Sequence, residues 1–160
     1  MALVALAAVL TVAGCGSHHS KGTGVKNGFV YSADEICADH LQAMLSWLDQ
    51  PRAGDSYRQA ATEDEGIYRI IAGSVERLEN LGPAPDPQGD AFRGYVKTLK
   101  ARASLYRLAG VAELHRDGLF AIRMERRVSQ IDVLGDGYAH RYGLRICGIG
   151  AREATKGLGG

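Results

Sequence analysis

The chain has 160 residues, with 19 Lys and Arg against 18 Asp and Glu, so its formal net charge is +1. Hydrophobic residues make up 46% and charged residues 23%, the balance of an ordinary globular domain. A charge so close to zero excludes the broad electrostatic attraction of a nucleic-acid-binding chain, and we expect no nucleic-acid partner. The length suits one domain with a single core.

An apolar run opens the chain and ends at Val12-Ala13-Gly14-Cys15, which resembles the lipobox of bacterial lipoprotein precursors. A helix of about twelve residues spans roughly 18 Å, too short for the roughly 30 Å core of a bilayer. The run therefore predicts a signal peptide. We expect removal of residues 1–14 and acylation of Cys15. The alternatives are a secretory signal cut elsewhere and a retained apolar segment.

Residues 15–28 are rich in Gly, Ser, Lys and His, a composition that predicts a flexible tether. With the lipid on Cys15, this segment would be a lipidated tether. Two or three acyl chains on Cys15 make release from a bilayer slow. The expected location is therefore the outer face of the cell membrane, with the folded part in water.

The first predicted helix begins at Ser32, because Glu35 three residues later completes a capping-box pattern. Apolar residues then recur at helical spacing until Pro51 and Gly54 end the helix. A second helix is predicted from Asp55 or Ser56 to the stop signal at 82–83, which is Gly followed by Pro.

The third helix is predicted to begin at Asp86–Pro87 and to end near the turn at 116–118. The fourth stripe runs from Phe120 to Tyr142, and Gly143 is placed as a left-handed cap with Leu144 folding back on the last turn. No sustained period-two alternation predicts a strand. We therefore predict an all-α, up-down-up-down four-helix bundle over 29–148, followed by a Gly-rich tail over 149–160.

Cys37 and Cys147 remain once Cys15 is assigned to the lipid. In an oxidising compartment an even pair is most simply a disulfide, with two buried thiols or a metal pair as the alternatives. An up-down-up-down bundle places the start of its first helix and the end of its fourth at the same end, where this chain has its two cysteines. The inference of a disulfide and the inference of a bundle therefore agree, and the bond would close the bundle.

Three short stretches carry a resemblance to a family: Ile36-Cys37-Ala38, Gly82-Pro83-Ala84-Pro85 and Tyr142-Gly143-Leu144-Arg145-Ile146-Cys147-Gly148. They resemble small exported lipoproteins of high-GC Gram-positive bacteria, although Tyr142 stands where those proteins usually have Leu. The resemblance covers about residues 29–148. It implies the helical bundle, the disulfide and the membrane address. It brings no defined activity, so no catalytic residue carries over.

The sequence contains no pattern typical of an enzyme site. No Gly-x-Ser-x-Gly occurs, and neither His115 nor His140 has the Glu three residues earlier that a di-iron bundle requires. Asp132, Asp136 and His140 are spaced four apart on one helix face, which could hold a cation but is more typical of a solvated face. His40, beside the first apolar stripe, is expected to be partly buried and hydrogen-bonded. We therefore expect no catalytic residue, no metal and no cofactor.

Helices 3 and 4 also carry a basic set, interleaved with Glu113, Asp117 and Glu125. Its members are Arg93, Lys97, Lys100, Arg102, Arg107, Arg116, Arg123, Arg126 and Arg127. A soluble surface is the simpler interpretation of this set. Docking to an acidic envelope polymer, to anionic headgroups or to a partner protein is the alternative.

The sequence therefore favours a membrane-anchored, extracytoplasmic lipoprotein without enzymatic activity that binds an envelope protein or polymer. The alternative is a carrier or sensor of a small apolar ligand held between the helices. Four glycines in the helices would leave room for such a ligand: Gly66, Gly73, Gly110 and Gly135. A large apolar cavity would favour the carrier, and a packed core the interaction protein.

Overall fold

The computed structural model of the chain describes residues 21–51, 53–85 and 87–148 and contains four helices over these residues. They are α1 (Lys21–Leu48), α2 (Ser56–Asn80), α3 (Gly89–Leu114) and α4 (Gly118–Tyr142). No strand occurs among the described residues. Each helix packs against the next along the chain, so the predicted all-α, up-down-up-down bundle is confirmed. The predicted signal peptide, Cys15 and the tail over 149–160 lie outside the described residues.

The local signals at α2 and α4 act as predicted. The Asp55 side chain caps α2 by accepting a hydrogen bond from the Arg58 amide at 3.0 Å. Gly143 ends α4 with φ 96°, and the Leu144 amide turns back to donate to the Ala139 carbonyl at 3.0 Å. The third helix begins at Gly89, two residues later than Pro87.

The predicted start of α1 is wrong. The helix begins at Lys21, so residues 21–28 of the predicted tether are helical and Ser32 lies inside a helix. Contacts at the end of the bundle explain the extension: Phe29 packs edge-on against Phe92 at 4.8 Å, and Lys26 donates to the Gln88 side chain at 2.8 Å. Tertiary packing here outweighs the helix-weakening effect of glycine.

The core consists of two clusters. The larger contains buried residues from all four helices, with Tyr142, Ile71 and Leu78 as its largest fully buried side chains. The smaller is formed by α3 and α4 alone, near the turn that joins them. Its buried members are Leu105, Ala109, Ala112, Ala121, Met124 and Val128. The α3–α4 end of the bundle therefore has a thinner core than the rest.

Trp47, near the end of α1, occupies the space that a side chain at Gly66 of α2 would need. A Cβ on Gly66 would lie 2.0 Å from Cε2 of Trp47, whose Nε1 donates to the Glu63 carbonyl at 3.2 Å. We predict that Gly66→Ala lowers the free energy of unfolding by about 1–3 kcal/mol, because the ring must move and lose this contact. The gain in helix propensity, at most about 1 kcal/mol, is smaller.

Gly73 provides the matched control within the same helix. A Cβ on Gly73 would meet no atom within 4 Å, so Gly73→Ala is expected to raise stability by about 0.5–1 kcal/mol. Urea unfolding followed by the fluorescence of Trp47, the chain's one tryptophan, measures both variants. Equal stability of the two variants would contradict the close packing of Trp47 on α2.

Candidate functional site

Cys37 of α1 and Cys147, just beyond α4, form a disulfide, as predicted. Their Cα atoms are 5.0 Å apart and both residues are buried in the larger core cluster. The buried Tyr95 hydroxyl, on α3, donates to the Cys147 carbonyl at 3.0 Å and lies 3.5 Å from Cys37 Sγ. Burial raises the pKa of this hydroxyl, so it stays a donor at neutral pH. The disulfide and Tyr95 thus join α1, α3 and the segment after α4.

Hydrogen bonds to Asp34 also hold the segment after α4, residues 145–147, against α1. The Asp34 carboxylate on α1 accepts hydrogen bonds from the backbone amides of Arg145 at 3.0 Å, Ile146 at 2.9 Å and Cys147 at 3.4 Å. Asp34 is 8% exposed, so these bonds satisfy a carboxylate that is almost withdrawn from water. The periodicity of the sequence did not predict this residue's role.

A cavity of about 40 Å³ lies beside the disulfide, between α1, α3 and α4. Its polar lining includes His40, Thr98, Arg102, Asp132 and Asp136. At roughly 10–15 Å³ for each water molecule, it has room for about three. A ligand of several hundred cubic ångströms does not fit in it.

His40 is partly buried and hydrogen-bonded, as predicted. Its Nδ1 lies 2.9 Å from the Ser74 hydroxyl, which itself donates to the Ile70 carbonyl at 2.9 Å. Nδ1 is therefore the donor to Ser74, and Nε2 is left as an acceptor. Burial, and then the charge of Arg102, lower the pKa of His40 to about 4, so the ring is neutral at physiological pH.

The His40–Ser74 pair does not have the arrangement of a nucleophile and its base. A base must accept the hydroxyl proton, whereas the Ser74 proton is directed to a backbone carbonyl of its own helix. Ser74 is also buried. The pair therefore ties α1 to α2 and leaves the cavity with one neutral imidazole.

The row of Asp132, Asp136 and His140 on α4 is divided between two environments. Asp132 and Asp136 line the cavity, while His140 is exposed on the outer side of the helix. Arg102 Nε lies 3.4 Å from the Asp132 carboxylate, and its guanidinium stacks near the Tyr106 ring. Over residues 21–148 as described, no three His, Cys, Asp or Glu side chains are placed to hold a metal ion.

The glycines that were expected to leave room for a ligand lie mostly against neighbouring groups of the chain. Trp47 fills the space at Gly66, and Asp64 and the Ala61 carbonyl border Gly110. A Cβ on Gly135 would meet the Thr98 hydroxyl at 2.9 Å, while Gly73 faces open space. These glycines allow close packing of the chain's own residues.

Asp64 of α2 is a second buried carboxylate whose burial was not predicted from the sequence. It is 6% exposed and packs against Gly110 of α3. Burial, and then the negative charges of Glu125, Glu63 and Glu113, raise its pKa to about 7. No ligand site is indicated by this carboxylate, but its charge state couples the stability of the bundle to pH.

Two further findings concern membrane spans and similarity to known proteins. In the described part of the chain, no helix combines the length and hydropathy needed to cross a bilayer. Comparison with protein-family models, with curated proteins and with solved structures finds no match.

Proposed function

We propose that the chain is a membrane-anchored extracytoplasmic lipoprotein whose bundle binds an envelope protein or polymer and catalyses no reaction. The lipid is carried by Cys15, at the end of the apolar run. The paired state of Cys37 and Cys147 supports the export that this location requires, because structural disulfides persist in oxidising compartments and are rare in the cytosol.

The observation that carries the interaction role is the distribution of exposed apolar side chains. Among the described residues, ten large hydrophobic side chains are exposed, and seven of them lie on α3 and α4. Three of them, Leu108, Val111 and Leu114, are spaced three apart over the last turns of α3 and are 44%, 49% and 65% exposed. Exposed apolar surface concentrated in one region is typical of a binding surface. We call these three residues the α3 strip.

The interior of the bundle favours binding at the surface over carriage of an apolar ligand. The cavity between α1, α3 and α4 has a volume of only about 40 Å³. An apolar ligand of drug size needs about 300–1,000 Å³. The carrier alternative therefore receives no support from the packing between the helices.

The anchoring part of the proposal is tested by metabolic labelling with an alkynyl fatty acid in a bacterium that processes lipoproteins. We expect wild-type chain to be labelled and recovered with the membrane. Cys15→Ser is expected to lose the label and to leave the membrane pellet, whereas Cys37→Ala with Cys147→Ala should stay labelled. Failure of the wild type to take up label would overturn lipidation at Cys15.

The interaction part is tested by cross-linking in intact cells. Leu108→Gln, Val111→Gln and Leu114→Gln remove the α3 strip while keeping good helix formers. The matched control makes the same change at three exposed apolar residues of α1: Val25, Tyr31 and Leu48. We expect the α3 variant to lose at least about 1.4 kcal/mol of binding, seen as a tenfold lower cross-linking yield, and the control to keep it. Equal yields would exclude the α3 strip as the binding surface.

A further inference from the structure

The outer side of α4 carries exposed apolar residues and cationic residues and has no acidic residue. Four large apolar side chains on this helix are 47–75% exposed, which is uncommon for a helix packed on one side. They are Leu119, Ile122, Val133 and Leu134. The buried side of the helix, marked by Ala121 and Ala139, faces the opposite way.

Four arginines and one histidine lie on the same side of α4, and all are exposed. They are Arg123, Arg126, Arg127, His140 and Arg141. At about 100° per residue, these cations and the four apolar residues fall within an arc of roughly 140°, opposite the buried alanines. We call this set the outward face of α4.

The three acidic residues of α4 all lie off this face. Asp132 and Asp136 turn into the cavity, and Glu125 stands near Asp64. Among the described residues, no carboxylate lies within ion-pair distance of the four arginines, whereas six other basic side chains of the bundle do form such pairs. The outward face therefore carries a formal charge of about +4 in a chain whose net charge is only +1.

The exposed side of a helix is convex, so this face forms a ridge. Five concavities of the described bundle are lined by other residues, apart from Arg141 at the rim of two of them. A ridge suits a planar surface better than an extended peptide or a small molecule, which need grooves or pockets. Exposed apolar residues beside arginines, with no acids, are the composition of a helix that lies in the interface of an anionic bilayer.

We propose that the outward face of α4 binds the surface of an anionic membrane, with the four apolar side chains entering the interface and the arginines contacting lipid phosphates. This contact would lay the bundle along the bilayer. This membrane contact adds to the proposed function and does not depend on acylation of Cys15. Failure of the contact and failure of the lipid anchor can therefore be distinguished.

The first test measures binding of the full chain carrying Cys15→Ser, which cannot be acylated, to vesicles of two compositions. We expect at least about tenfold tighter binding to equal parts phosphatidylglycerol and phosphatidylcholine than to phosphatidylcholine alone. Removing three arginines as Arg123→Gln, Arg126→Gln and Arg127→Gln is expected to weaken binding to the anionic vesicles about a hundredfold, at about fivefold for each arginine. High salt should weaken it as well.

A charge-matched control separates this face from net charge. Arg58→Gln, Lys97→Gln and Arg107→Gln remove three exposed cations from α2 and α3 and should leave binding within about twofold of the parent chain. Equal binding by the α4 variant and the parent would overturn the proposal. So would an equal loss of binding in both triple variants.

A tryptophan reporter tests contact by the face itself, whatever else holds the chain on the vesicle. Val133→Trp is expected to be quenched by brominated phosphatidylglycerol about twofold more strongly than Thr62→Trp, an exposed position on α2. Quenching no stronger at residue 133 than at residue 62 would overturn the membrane contact. If quenching is no stronger at residue 133 and the chain binds a soluble polyanion in a salt-sensitive way, the face would be reassigned to a polymer partner.

Discussion

Replacing Cys37 and Cys147 with alanine is expected to lower the free energy of unfolding by about 2–5 kcal/mol. The bond joins residues 110 apart, and closing a loop of that length removes about 4–5 kcal/mol of chain entropy from the unfolded state. Measured values for native disulfides are often smaller. The effect is large beside the roughly 5–15 kcal/mol that stabilises an ordinary domain.

Urea unfolding with and without reductant measures this contribution. Reductant is expected to move the midpoint of the wild type to lower urea and to leave the double alanine variant unchanged. Identical midpoints for the oxidised and reduced wild type would show that the disulfide contributes no stability.

The stability that is lost on removing the disulfide also depends on Asp34. Asp34 and the disulfide both hold residues 145–147 against α1, so either one alone keeps this segment in place. Asp34→Ala leaves buried amides without their acceptor, at a cost of about 1.5–3 kcal/mol. Combined with the double alanine variant, it should cost more than the sum of the separate losses, because the segment is then released. Such coupling between contacting groups is typically about 0.5–3 kcal/mol.

The helix order and the cysteine pairing could be predicted from the sequence because both depend on local signals and on one topological constraint. Asp55, Gly143 and the stop at 82–83 specify helix ends through backbone conformations and hydrogen bonds within a few residues. The start of α1 could not be found this way. It depends on contacts of Phe29 and Lys26 with residues more than 60 positions later in the chain.

Asp34 and Asp64 were not recognised as buried groups, and Arg102 was placed in the basic surface set, for a different reason. Asp34, Asp64 and Arg102 each lie three residues from an apolar position of a predicted helix and so on its buried side. A charged residue at such a position is a sequence signal for a buried, partnered group. Its partner cannot be deduced from periodicity alone, since Asp34 is satisfied by backbone amides about 110 residues away.

Replacing Asp64 with asparagine is expected to stabilise the bundle at pH 8 by up to about 4 kcal/mol. The pKa of Asp64 is about 7 in the folded protein against an ordinary 3.8, and each unit of difference corresponds to about 1.36 kcal/mol. In the described part of the chain no cation forms an ion pair with this carboxylate. Its ionisation in the fold is therefore opposed by burial and by the neighbouring Glu125, Glu63 and Glu113.

The direction of the pH dependence follows from which state binds the proton. Between pH 4 and pH 7 the folded protein keeps the Asp64 proton and the unfolded chain has lost it. The contribution of Asp64 to stability is therefore complete below pH 4 and is lost as the pH rises through 7. His40 acts in the opposite direction, because its pKa of about 4 is below the ordinary 6.5. Its contribution is complete above pH 6.5 and is lost as the pH falls through 4.

These opposed contributions cancel between pH 4 and pH 6.5, so the stability of the wild type is expected to change little there, to fall by about 0.7 kcal/mol between pH 6.5 and pH 7, and then to level off. In Asp64→Asn only the His40 contribution remains, so stability should rise from pH 4 to pH 6.5 and then level off. Urea midpoints at half-unit pH intervals would separate the two curves. Asp49→Asn, in the exposed turn after α1, is the matched control and should follow the wild type. A wild type whose stability rises from pH 4 to pH 6.5 in parallel with Asp64→Asn would mean that Asp64 is already ionised in the folded bundle, which the acidic neighbours and the close packing against Gly110 oppose.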